Sequence, residues 1–231
     1  MALLKVERSL RRASPPRSPR HDARTPADLP LELLEACRAA SLLIGGPQVR
    51  RLGVTSALRE EGRTMVALGM AQVQQAEFGR RVALLDMDFE NPSLARAHGL
   101  EPWPGLAELS RGEAGLDEVM QPVSEGVHLV AAGRMPEMPS RVVADIVTSG
   151  LVVELSQRVD VVVADLPPLL GGGIGQLAAR AFDDLILVVR AGVTPAARVR
   201  EATSDLHVAP SVLLNGAYSS LPSWLRRLLG Q

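Results

Sequence analysis

The sequence predicts an α/β protein built on an open, doubly wound and mostly parallel sheet. Short unbroken Val/Leu/Ile runs recur along the 231 residues, stretches of helical periodicity separate them, and polar clusters follow three of the runs. An open sheet is favoured over a (β/α) barrel. Only six or seven strands are countable, the chain is short for a barrel, and residues 87–126 contain no convincing strand.

Taken in order, residues 31–43 read as a helix with Leu33, Leu34, Cys37 and Ala40 or Ser41 at helical spacing, stopped by Gly45-Gly46-Pro47. Residues 51–56 form a short strand, and 64–78 a helix ending at Gly79. Buried strands follow at 82–85, 127–130, 159–164, 185–189 and 212–214. Helical stretches fall between them, around 140–157, 174–181 and 195–206. In such sheets ligands bind beyond the carboxyl ends of the strands, so chemistry is sought there.

Composition narrows the function classes. Hydrophobic residues make up 46% and charged ones 22%, enough apolar material for a large core. The 25 basic and 26 acidic residues nearly cancel, which argues against nucleic acid as the main partner. Cys37 is the single cysteine, so neither a disulfide framework nor a cysteine-built zinc site can form. The expectation is a soluble cytoplasmic protein, since no apolar run approaches the roughly 18 residues of a membrane span and no secretory signal is visible.

Charge is uneven, however. Residues 1–30 carry a net +4, leaving −5 for the remainder. They divide the chain into a disordered basic tail, 1–30, and a folded domain, 31–231. The tail's arginines either keep it solvated or attract an anionic surface; Leu3, Leu4, Val6 and Leu10 could form a short amphipathic turn. At the other end, Ser219 to Leu229 reads as a proline-started helix with Trp224, Leu225, Leu228 and Leu229 apolar and Arg226 and Arg227 basic, packed on the core or lying at a membrane surface.

Three strand ends carry candidate chemistry. After strand 51–56, the frame 57–64 compares with the phosphate-loop pattern G-x-x-x-x-G-K-S/T: it keeps Gly62 and Thr64, has Ala57 for the first glycine, and puts Arg63 where lysine belongs. A phosphate loop needs backbone N–H groups around an anion, a cation for the phosphates and a hydroxyl for Mg²⁺; a plain strand-turn-helix connection would look similar. After strand 82–85, Asp86 and Asp88 alternate onto one side, which suits a cation site, a proton acceptor or a solvated turn. After strand 159–164, Asp165-Leu-Pro-Pro168 offers one carboxylate at a strand tip, either a Mg²⁺-holding acid or an Asp before a proline turn.

From about Leu33 onward these segments together resemble the MinD/ParA-like deviant P-loop ATPases, and within them the CpsD/CapB-type bacterial tyrosine kinases of capsule and exopolysaccharide export. Glu35-Ala-Cys-Arg-Ala-Ala40 is similar to that branch's E-A-Y-R-x-L helix, Asp86-Met-Asp88 to its D-x-D motif, and Asp165-Leu-Pro-Pro168 to its D-T-P-P Walker B. Leu213-Leu-Asn215 resembles the strand whose asparagine reads adenine. The resemblance implies ATP and Mg²⁺ as cofactors. Ala57, Glu61, Gly62, Arg63, Thr64 and Asn215 would contact the nucleotide, and Thr64, Asp86 and Asp165 the metal. Asp86 and Asp88 would assist the nucleophile, with Arg63 in the role of lysine. It further implies docking on a membrane-anchored polysaccharide co-polymerase or chain-length regulator, a homo-oligomer or an active paralogue as partner, no nucleic acid, and a place at the inner face of the membrane.

Several departures bear on activity. Where the family loop reads P-G-E-G-K-S/T, this chain has Arg59-Glu-Glu-Gly-Arg-Thr64, and Glu90 stands where the second motif often has arginine. At a position needing φ > 0, Glu60 would cost about 1–2 kcal/mol, and its charge opposes a polyphosphate. Guanidinium is wider and more directional than ammonium; Arg59 and Arg63 could close the loop by pairing with Glu60 and Glu61. Tyr218 is the single tyrosine, so no C-terminal tyrosine cluster is available for self-phosphorylation. Three functions therefore stand open: a nucleotide-binding adaptor with weakened or lost catalysis, an active ATPase or protein tyrosine kinase acting on a partner, and a ParA/MinD-like positioning ATPase.

Overall fold

A computed structural model describes residues 29–216. The basic tail up to Asp28, Tyr218 and the C-terminal amphipathic stretch lie outside the described residues. The chain runs α1 (Leu31–Leu43), β1 (Arg51–Ser56), α2 (Arg63–Phe78), β2 (Val82–Asp86), α3 (Leu94–Ala97), α4 (Leu106–Ser110), α5 (Leu116–Val119), β3 (Met120–Ser124) and β4 (Val127–Val130). It continues through α6 (Pro139–Ser149), α7 (Leu151–Arg158), β5 (Val161–Asp165), α8 (Ile174–Ala179), β6 (Asp184–Arg190), α9 (Ala196–Thr203) and β7 (Ser211–Asn215).

The seven strands form one sheet in the order β3-β4-β2-β5-β1-β6-β7. Every pairing is parallel except β3 with β4. One face of the sheet carries Leu52, Val54, Leu84, Val163, Ile186 and Val188 against α1 and α2. The other carries Leu85, Val162, Ala164 and Leu185 against α6, α7 and α8. Both faces are covered over the central strands, which is why β2 and β5 are apolar at nearly every position rather than alternating. Helix α1 seats Cys37 against Gly69 of α2, where a Cβ would lie 2.7 Å from the Cys37 sulfur; the glycine lets the two helices approach.

Strand β3 was not expected. Met-Gln-Pro-Val-Ser has no apolar run, and it is a strand because it pairs antiparallel at the sheet's edge, where Pro122 withholds no needed hydrogen bond. The helical stretch expected around 140–157 is two helices, since Gly150 adopts φ 74 and breaks it. Strand β5 begins at Val161 rather than at 159, and helices α8 and α9 are each shorter than expected.

Strand order brings the three candidate segments together. β5 lies between β2 and β1, so the loops after β1, β2 and β5 open side by side at the carboxyl edge. Asp86 and Asp165 are partners in register on adjacent strands.

Candidate functional site

The loop from Ala57 to Gly62 turns out of β1 and delivers Arg63 and Thr64 as the first residues of α2. Ala57 is fully buried, and its carbonyl accepts the Leu170 N–H at 3.1 Å. Thr55 donates its hydroxyl to the Pro167 carbonyl at 2.8 Å, tying the loop's base to the segment after β5. Gly62 has φ 92, and a Cβ there would collide with the Asn215 side-chain nitrogen. Asn215, at the end of β7, donates that nitrogen to the Glu61 carbonyl at 2.9 Å.

Glu61 is buried and anchors the loop from within. Its carboxylate accepts the Leu58 N–H at 2.7 Å, the Arg190 N–H at 3.1 Å and the Thr194 hydroxyl. The expected pairing of Arg59 and Arg63 with Glu60 and Glu61 does not occur: Glu61 faces inward to backbone and hydroxyl donors, and no ion pair joins either arginine to Glu60. Glu60 is exposed and has φ 63, the one non-glycine residue with positive φ among the described residues. The strain expected from placing a side chain at a family glycine position is therefore present in the backbone.

Arg63 instead turns into the acids. Its side chain is 8% exposed; one terminal nitrogen binds Asp88, and Nε lies 3.5 Å from Asp165. Arg59 reaches over the same cluster to Glu90, with its other nitrogen 3.5 Å from Asp88. Two departures from the pattern that the sequence resembles, Arg59 and Glu90, are thus each other's partners. These arginine contacts were missed from the sequence, as were the roles of Arg190 and Thr194, because nothing in local spacing signals a partner on another strand.

The three acids experience different surroundings. Asp86 accepts the Ser93 and Leu94 N–H groups, both at 2.9 Å. Burial pushes its pKa up to about 6, opposed by those two hydrogen bonds and reinforced by the neighbouring Asp88. Asp165 accepts the Thr64 hydroxyl at 2.6 Å. Burial pushes it up to about 7, with Arg63 pulling it down and Asp86 pushing it up again. Burial and the neighbouring acids thus raise both Asp86 and Asp165 above the ordinary carboxylate range, with Arg63 the buried cation that opposes the rise at Asp165.

Asp86, Asp88 and Asp165 each leave one buried oxygen, Oδ1, without a hydrogen-bond partner. Hard oxygens orphaned beside a threonine hydroxyl fit a Mg²⁺ ion. Among the described residues no three acids, histidines or cysteines form a ready ligand set. The cleft between Arg59, Asp88, Glu90 and Pro168 holds only about 10 Å³ of free space. As it stands, the guanidinium of Arg63 occupies the acids' common side.

No family model matches the sequence. It is 27% identical to the tyrosine-protein kinase YwqD of Bacillus subtilis over 72% of this chain and 70% of that protein. It is 29% identical to EpsB of Ralstonia solanacearum, a putative tyrosine-protein kinase, over 80% of this chain but 25% of that protein. With the succinoglycan biosynthesis transport protein ExoP of Rhizobium meliloti it shares 27% identity over 75% of this chain and 22% of that protein, so it spans about a quarter of these longer relatives. Among solved structures, the kinase domain of Escherichia coli Etk superposes with a TM-score of 0.74 at 24% identity, covering 82% of this chain and 78% of that one. The VpsO kinase domain gives 0.73 at 25% identity, covering 81% and 96%. MinD of Pyrococcus horikoshii, complexed with Mg-ADP, shares the fold at a TM-score of 0.55 and 18% identity over 78% and 76%. By relatives and by fold, the chain is similar to the CpsD/CapB-type bacterial tyrosine kinases, and it shares the fold of the MinD/ParA-like deviant P-loop ATPases.

Proposed function

We propose that this chain is a nucleotide-binding P-loop protein serving exopolysaccharide or capsule synthesis and export, with catalysis weakened by its own phosphate loop. One observation carries the reading: the Arg63 guanidinium is buried between Asp88 and Asp165, while Thr64 and Asp165 keep a contact suited to a metal. Thr64, Asp165 and Asp86 would hold Mg²⁺, and the N–H groups at the start of α2 would receive phosphate oxygens, with Asn215 steadying the loop beneath them. Mg²⁺ bound with ATP supplies charge neutralisation at the transferring phosphoryl group. Asp86 or Asp88 would take the proton of an attacking hydroxyl.

To receive that ligand, Arg63 must leave its acids. Breaking a buried ion pair costs about 3–5 kcal/mol. A site that must first open at about 3 kcal/mol binds its ligand roughly a hundredfold more weakly than one already open. Glu60 adds strain and negative charge in the same loop. The name of one relative, a succinoglycan biosynthesis transport protein, supports a role in polysaccharide biosynthesis and transport. In this reading the chain acts beside a membrane-anchored polysaccharide co-polymerase at the inner face of the membrane; among the described residues no helix is long and apolar enough to cross one.

A second reading, an active ATPase or tyrosine kinase acting on a partner, is favoured by the undisturbed Thr64–Asp165 contact. Turnover separates the two. ATP hydrolysis and phosphotransfer to a tyrosine-containing polymer are measured for the parent and for Glu60→Gly combined with Arg63→Lys. The weakened-site reading expects the double variant to exceed the parent by at least about tenfold. A parent that already turns over as fast as the variant supports the active enzyme instead.

A further inference from the structure

Apart from the phosphate site, a largely apolar groove of about 520 Å³ lies on the α2 face of the sheet. Its floor is Leu84 of β2 and Val127 of β4; Ala71 of α2 forms one wall, and Leu100 with Val123 of the edge strand forms the other. The groove exists because the connection from β2 to β3 places α4 and α5 with the opposite core, leaving only the single turn of α3 on this side.

Its occupant is indicated by where the chain enters. Leu29, the first described residue, lines the groove, so residues 1–28 lead directly to it. That stretch begins with Leu3, Leu4, Val6 and Leu10 interleaved with Lys5, Arg8, Arg11 and Arg12 against the single acid Glu7 of residues 1–12. Glu101 and Glu125 adjoin the lining residues Leu100 and Ser124; both are exposed, and neither is in an ion pair among the described residues. The residues between Leu10 and Leu29 can extend about 60 Å, well beyond what a return to the groove requires. We infer that the groove is the docking site of this chain's own N-terminal segment, which seats Leu3, Leu4, Val6 and Leu10 in it and turns its basic residues to Glu101 and Glu125. Docked there, the segment is withheld from anionic membrane surfaces that the same apolar and basic residues would otherwise suit.

The test places a benzophenone amino acid at Leu4 in the full chain and maps photo-crosslinks by mass spectrometry, with and without vesicles containing phosphatidylglycerol. The expected result is crosslinks within one chain to residues of α2 and β3, with a yield independent of protein concentration. Glu101→Lys with Glu125→Lys, both exposed and harmless to the fold, should lower that yield about threefold or more. Crosslinks that fall elsewhere on the chain, that form only between chains or only to lipid, or that are insensitive to the two charge reversals would overturn the inference.

Discussion

The carboxylate wall and the phosphate loop face each other across the same cleft, yet they depart from the family pattern to very different degrees. Asp86, Asp88 and Asp165 stand at the strand ends where the fold places acids. The loop opposite has exchanged a proline for Arg59, a glycine for Glu60 and a lysine for Arg63. The difference teaches that the loop's changes are compensated locally. Arg63 neutralises Asp88 and approaches Asp165, Arg59 meets Glu90, and the loop stays anchored through Glu61 and Asn215. The buried acids are thus faced by a cation of the chain itself.

The comparison breaks most directly at Asp88. Asp88→Ala leaves the buried guanidinium of Arg63 without its main partner and should cost about 3–5 kcal/mol, read as a fall in Tm of about 2–4 °C per kcal/mol. Replacing Arg63 by Met in the same background should recover much of that loss. An unchanged Tm in Asp88→Ala would show that the pair contributes nothing to the fold.

Asp165→Asn sharpens the comparison in the opposite direction. The folded carboxyl is raised to about 7 from an ordinary value of 3.8, so folding favours its protonated form. Its contribution to stability is full below about pH 4 and is lost as pH rises through 7. An amide cannot ionise, so the variant should be more stable than the parent at pH 8 by about 4 kcal/mol, about 1.4 kcal/mol for each unit of the rise. That advantage should shrink steadily as pH is lowered and vanish near pH 4. A pH-independent difference in Tm would contradict the burial argument. The smallest effect belongs to Glu60→Gly, which relieves the positive φ and should add about 1 kcal/mol of stability in thermal unfolding.

Much of this is legible in the sequence. α1 and β1 have the boundaries that their apolar periodicity and the Gly45-Gly46-Pro47 stop indicate. The acids could be found because a strand that ends in a polar residue advertises its carboxyl edge. β3 could not, because its strand character comes from a neighbour's free edge and not from its own residues. The partners of Arg59 and Arg63 were misread because the sequence places Glu60 and Glu61 beside them, while the fold turns both side chains toward acids on the next loop. Glu61 and Thr194 are 133 positions apart, a contact no local pattern can encode.

Calorimetric titration of Mg-ATP into the parent chain and into the Glu60→Gly, Arg63→Lys variant tests most directly whether the loop's own arginine holds the site closed. Weak binding by the parent, with the variant at least about tenfold tighter, is the expected result. Sub-micromolar binding by the parent, or equal affinities for the two proteins, would contradict it.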